Sequence, residues 1–131
     1  MTDFMHLHKP GLGNAPSYTV SSIPFVSSSI SVPASGSVAV SVSFPQVTKF
    51  ITIKNLTAGT AMRLGFSDLG IKSSNYYIVN GGEVFTTDVK VTSIYLMGHS
   101  VTTMSASLLA GLTHINRSEL PNNWSGSLGV G

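Results

Sequence analysis

The chain has 131 residues, of which 42% are hydrophobic and only 9% charged, and seven Lys+Arg against five Asp+Glu leave a net charge of +2. That length favours one domain, able to bury about two-thirds of its unfolded surface, and scarce charge with plentiful β-branched residues excludes disorder. No apolar run reaches the 18 residues a membrane span needs, and zero cysteines exclude a disulfide framework, a thiolate metal site and a cysteine nucleophile.

An ordinary soluble domain carries about 25% charged residues. Charge is depleted where partners cover a surface, so the deficit points to a subunit of an assembly. The seven basic residues, Lys9, Lys49, Lys54, Arg63, Lys72, Lys90 and Arg117, are scattered. They make no basic stripe with stacking aromatics, so no nucleic-acid footprint is expected. His6, His8 and Lys9 have no apolar stretch beside them, so no signal peptide is read here. The missing cysteines suit a reducing cytosol.

Residues 1–16 read as an extended arm. Pro10 and Pro16 disfavour helix, Gly11 and Gly13 loosen the backbone, and no hydrophobic period runs through it. Residues 18–21 and 25–32 form the first expected strands. Ile30 and Val32 share a face, and Pro24 and Pro33 put these strands at an edge or an end. Ala34-Ser35-Gly36 is a turn, which predicts a hairpin between Ile30/Val32 and the next strand.

Residues 37–67 carry the clearest signal. Val38, Val40, Val42 and Phe44 alternate with Ser37, Ala39, Ser41 and Ser43. Ile51 and Ile53 alternate with Thr52 and Lys54, and Met62, Leu64 and Phe66 with Arg63 and Ser67. Side chains on a strand point alternately to opposite faces, so these are three half-buried strands, for which a second sheet is the natural cover. Residues 55–60 suit a hairpin loop. Ser67-Asp68-Leu69-Gly70 reads as a turn, with Asp68 accepting backbone N–H bonds and Gly70 taking positive φ.

Tyr76-Tyr77-Ile78-Val79 is a strand that ends at Asn80-Gly81-Gly82, a tight reversal with residues 83–86 as the expected partner strand. In 90–97, Val89 and Val91 have one parity and Ile94 and Leu96 the other. That strand is either buried on both faces or switched by a bulge. In 101–109, Met104, Ala106 and Leu108 share a face, while 105–112 suits a short helix equally. From Thr113 the chain reads as irregular, ending in a glycine-rich string anchored by Trp124 that suggests a strap over a neighbouring surface.

Eight or nine short strands with almost no helix predict an all-β, antiparallel β-sandwich. Two Greek-key sheets of four strands would make a single eight-stranded jelly roll, with an N-terminal arm over 1–18, the sandwich over 19–112 and a C-terminal tail over 113–131.

No chemistry emerges from the motifs. His6 and His8 would share a strand face, but no cysteine or carboxylate follows at metal-ligand spacing. His99 and His114 fall in or near turns. No serine sits in a nucleophile elbow, and Asp68, Glu83 and Asp88 make no carboxylate pair. Gly11-Leu12-Gly13 and Asn80-Gly81-Gly82 lack the lysine and helix of a phosphate loop. The expectation is a non-enzyme without cofactor, metal or small-molecule substrate. Tyr76, Tyr77 and Trp124 leave a glycan-binding reading open, although adjacent strand tyrosines face opposite ways. Sequons at Asn55, Asn116 and Asn123 would be glycosylated only in a secretory compartment.

Three stretches carry a family resemblance. They are the arm His8-Lys9-Pro10-Gly11-Leu12-Gly13-Asn14-Ala15-Pro16-Ser17-Tyr18, the centre over 50–79 with Arg63-Leu64-Gly65-Phe66-Ser67 and Asn75-Tyr76-Tyr77, and the end from Ala110-Gly111-Leu112-Thr113 to Asn123-Trp124-Ser125-Gly126-Ser127 and the closing glycines. Together they resemble the single jelly-roll vertex (penton) proteins of large icosahedral double-stranded DNA viruses. The resemblance implies a structural capsid protein assembled in host cytoplasm, five copies of which close a ring at each vertex beside the major capsid protein. It assigns the arm and tail to contacts between subunits, with His8, Pro10, Leu12, Tyr18 and Trp124 as interface residues. A minor or decoration capsid protein, or a glycan- or receptor-binding sandwich, is the alternative.

Overall fold

The fold comes from a computed structural model, which describes residues 22–121 and 123–131. The arm over 1–18 and the strand expected at 18–21 lie outside the described residues. Strands β1 (Ile23–Val32), β2 (Val40–Ser43), β3 (Gln46–Asn55) and β4 (Met62–Gly65) precede a short helix, α1 (Asp68–Lys72). Strands β5 (Tyr76–Val79), β6 (Val84–Thr87), β7 (Ser93–Gly98) and β8 (Met104–Asn116) follow, and then a 3-10 turn over Arg117–Glu119. They form two four-stranded sheets ordered β1-β8-β3-β6 and β2-β7-β4-β5, with every pairing antiparallel. The expected all-β sandwich is therefore present.

The core lies between the sheets. Ile51 and Ile53 of β3, Met62 and Leu64 of β4, Ile94 and Leu96 of β7 and the even positions 104–112 of β8 meet there. Each large aliphatic side chain buried this way is worth about 1.5–3 kcal/mol, so the alternation read from the sequence sets the main favourable term. Val40, Val42 and Phe44 face this core as their parity requires. Val38 does not: it precedes β2 and is exposed, while Ala39 turns outward against Met97 and Ile71. In β7 the two-faced alternative holds, with Ile94 and Leu96 facing the main core and Met97 the smaller outer cluster.

A register switch occurs instead in β1. Ser27 pairs with Leu108 and Ile30 with Ala106, so β1 spends one residue more than β8. This bulge lets Phe25 and Ile30, of opposite parity, both face the core.

Three expected hairpins are absent. β1 pairs with β8 and β2 with β7, not with each other. The 55–60 connection carries the chain from β3 in one sheet to β4 in the other. The turn at 80–82 does the same between β5 and β6; Gly82 takes φ +78°, and at Gly81 a Cβ would clash with the backbone at Thr57 and Gly59. Tight turns need the same residue types whether they reverse a strand within a sheet or step across a sandwich, so composition does not separate the two cases.

The segment read as a turn at 67–70 is the start of α1. Ser67 caps it by accepting from Gly70 N (2.9 Å), while Asp68 pairs with Lys72 (3.1 Å) in place of the expected backbone bonds. The chain also stays regular past Thr113, since β8 runs to Asn116. Thr113 Oγ1 donates to Val47 O (2.7 Å), and Ile115 is buried with Val47 and Leu120. Those contacts extend the strand through residues too polar to suggest one.

Candidate functional site

Two sheet faces and the C-terminal strap are the surfaces the fold offers. The outer face of β1-β8-β3-β6 carries few charged side chains. Val26, Leu109, Thr52 and Thr86 form a row across all four strands, flanked by Phe50 on one side and by Lys54 and Val84 on the other. Val26 is 67% and Val84 56% exposed. Thr52 and Thr86 join hydroxyls at 3.0 Å, and Lys54 is the charged side chain among these paired positions.

The outer face of β2-β7-β4-β5 is different. Arg63, on β4 with outward parity, is its hub. Its Nε donates to His99 Nδ1 (3.1 Å) and its Nη1 to Ile71 O (3.3 Å), while the guanidinium lies 4.5 Å from the Tyr76 ring centre. Ile71 of α1 covers part of this face with Ala39 and Met97. Tyr76 therefore lies on the outer face, as its alternation with Tyr77 implies. Tyr77 instead stacks on Phe85 at 4.2 Å, closing the sandwich between edge strands β5 and β6.

The C-terminal segment lies on its own chain. Asn123, 6% exposed, receives Thr92 N (2.7 Å) at Oδ1 and donates from Nδ2 to Phe66 O (2.7 Å) and Ser93 O (3.0 Å). Trp124 donates from Nε1 to Lys90 O (2.6 Å), and the Lys90 ammonium stands 5.8 Å from its ring centre. Beyond it, Val130 O accepts from Ser67 Oγ (2.7 Å), which places the strap directly over α1.

Gly70 makes that seat possible: a Cβ there would run into Val130 O. Gly70→Ala is thus expected to cost about 1–2 kcal/mol in the full chain by lifting the strap. In a chain ending at residue 125 only the crowding against Ser67 Oγ remains, and the higher helix propensity of alanine offsets it, so the same change is expected to cost less than about 0.5 kcal/mol. Thermal denaturation of the four proteins checks the difference, and equal effects in both backgrounds would refute the contact.

Of the interface residues expected from the sequence, His8, Pro10, Leu12 and Tyr18 lie outside the described residues. Trp124 is 39% exposed, and the covered remainder of its surface lies against its own chain at Lys90. Sequence reasoning missed Asn123, seen only as part of a sequon, and the gathering of groups around Arg63. No sequence signal distinguishes Asn123 from other asparagines. The Arg63 parity showed the direction of its side chain and nothing of its neighbours.

The sequons also separate. Asn55 is fully buried, donating to Thr60 O (2.8 Å) and Val79 O (3.1 Å), and Asn123 is buried too, whereas Asn116 is exposed. Among the described residues no three His, Asp or Glu side chains gather as a metal-ligand set, and no helix is long and apolar enough to cross a membrane. Glu83 caps Asn80 N (2.8 Å) and His99 is engaged by Arg63, so both are accounted for by structural contacts. No protein-family model matches this chain, and no relative is found among curated proteins.

Proposed function

We propose that this sandwich is a single jelly roll and that the chain is a structural capsid protein, five copies of which close a ring at the five-fold vertices of an icosahedral double-stranded DNA virus. The observation that carries the reading is the nested pairing: β1 with β8, β2 with β7, β3 with β6 and β4 with β5. Such a chain is a hairpin ribbon rolled up on itself, the arrangement of many viral capsid and lectin domains. Fold alone does not choose between those functions. The capsid reading draws on the shortage of charge, on the exposed apolar residues Val26 and Leu109 of the outer face, and on the resemblance of the arm, centre and tail to vertex proteins.

The lectin-like alternative has less support. Each of the three candidate stacking rings already carries a protein group: Arg63 on Tyr76, Phe85 on Tyr77 and Lys90 on Trp124. A minor or decoration protein would share everything described here and differ only in its place on the shell.

Sedimentation or mass photometry of the purified chain is expected to find a species of five-fold the 13.7 kDa chain mass. Labelling in particles is expected to mark the five-fold axes. A monomer or trimer with saturable sugar binding would replace this reading with the glycan-binding one, and marks elsewhere on the shell would favour the decoration protein.

A further inference from the structure

We propose that the cleft between the 34–38 turn, β4 and α1 is a binding site for a small molecule carrying a phosphate or sulfate group. The cleft encloses about 470 Å³, with Ser35, Ser37, Arg63 and Lys72 around it and Val38 and Met97 as an apolar wall. That volume is in the range of small-molecule pockets, about 300–1,000 Å³, and exceeds what a bare oxyanion fills.

The decisive group is Arg63. Its guanidinium is half-buried and held in one orientation by His99 Nδ1, Ile71 O, the Met97 sulfur (3.8 Å) and the Tyr76 ring. None of these partners is a carboxylate. Among the described residues no carboxylate forms an ion pair with Arg63, and Asp68 pairs with Lys72 instead. A fixed, planar cation without a counter-charge at the wall of a cleft is pre-organised for an oxyanion.

Lys72 supplies the second cation. Its pairing with Asp68 across one helical turn is surface-exposed and weak, so an incoming dianion can compete for it. Two cations, Arg63 and Lys72, and two hydroxyl residues, Ser35 and Ser37, line the same cleft. A planar carboxylate would use two donors in one plane, whereas a tetrahedral group can engage donors from several directions. The remainder of the ligand would rest on Val38, whose side chain is exposed at the rim of the cleft.

The test is a two-dimensional NMR titration of the intact chain with inorganic phosphate, inorganic sulfate and glycerol 3-phosphate, against sodium chloride at matched ionic strength. Saturable shifts are expected at residues 35–38, 63, 72 and 97, with glycerol 3-phosphate bound more tightly than either inorganic ion. Arg63→Gln is expected to weaken binding at least about tenfold, because a charge-assisted donor pair is lost. Lys72→Gln, an exposed change that leaves the fold intact, is expected to weaken it severalfold. Shifts that merely follow ionic strength, or that persist unchanged in Lys72→Gln and Arg63→Gln, would overturn the proposal.

Discussion

Asn123→Ala is expected to destabilise the protein by about 3–5 kcal/mol, a large share of a typical domain's stability. The β4–β7 ladder ends at the Gly65–Tyr95 pair, and the Asn123 amide bridges the gap beyond it. Its Oδ1 receives Thr92 N and, at 3.4 Å, Ser93 N, while its Nδ2 reaches carbonyls of Phe66 and Ser93 on the two flanking segments. Truncation would leave these backbone groups buried without partners, each at about 1–3 kcal/mol.

Asn123 also has φ +51°, a region that asparagine tolerates and alanine resists. Asn123→Gly removes that strain and keeps the hydrogen-bond loss, so it is expected to be about 1 kcal/mol less damaging than alanine. Asn123→Asp would turn a carboxylate oxygen toward two carbonyls and should be at least as harmful as alanine at neutral pH. Urea denaturation of the three variants reads these differences. A loss below about 1 kcal/mol for Asn123→Ala would mean the amide does not hold the two strands together.

Phe44→Ala is the second large effect, again expected at about 3–5 kcal/mol. The ring is fully buried and meets Phe25 edge-to-face with centroids 5.0 Å apart. The cost falls toward the upper end because the cavity has little freedom to collapse. Phe44 N donates to Thr92 O (2.8 Å) and Phe44 O accepts from Arg117 Nη1 (3.2 Å), pinning the backbone on both sides. Phe44→Leu should restore roughly half of the loss by refilling volume. Val38→Ala is the matched control: its side chain is 77% exposed, so a change within about 0.5 kcal/mol is expected. Equal thermal shifts for the Phe44 and Val38 variants would contradict the core described here.

The candidate surfaces were only partly legible beforehand. Alternation around Arg63 predicted that it faces away from Met62 and Leu64, and it does. Its pocket could not be foreseen, because Ser35 and Ser37 lie in a turn before β2 and Lys72 lies on α1. Trp124 stood out as an anchor by its size alone. The residue that binds the strap most closely, Asn123, has an ordinary polar side chain, and its importance comes wholly from four backbone groups it meets in space.

By itself, the sequence determined where most strands run and which side chains are buried. Period-two alternation is a local property, and burying Val40, Val42, Phe44, Ile51, Ile53, Met62 and Leu64 is the same requirement whichever strand lies opposite. Tertiary structure alone decided the partners. Pairing β1 with β8, or seating Val130 on Gly70, joins segments about 60 or more residues apart, and no local period records such distant contacts. It also decided that the turns at 55–60 and 80–82 step between sheets, because a glycine supplies the same backbone freedom to either kind of turn.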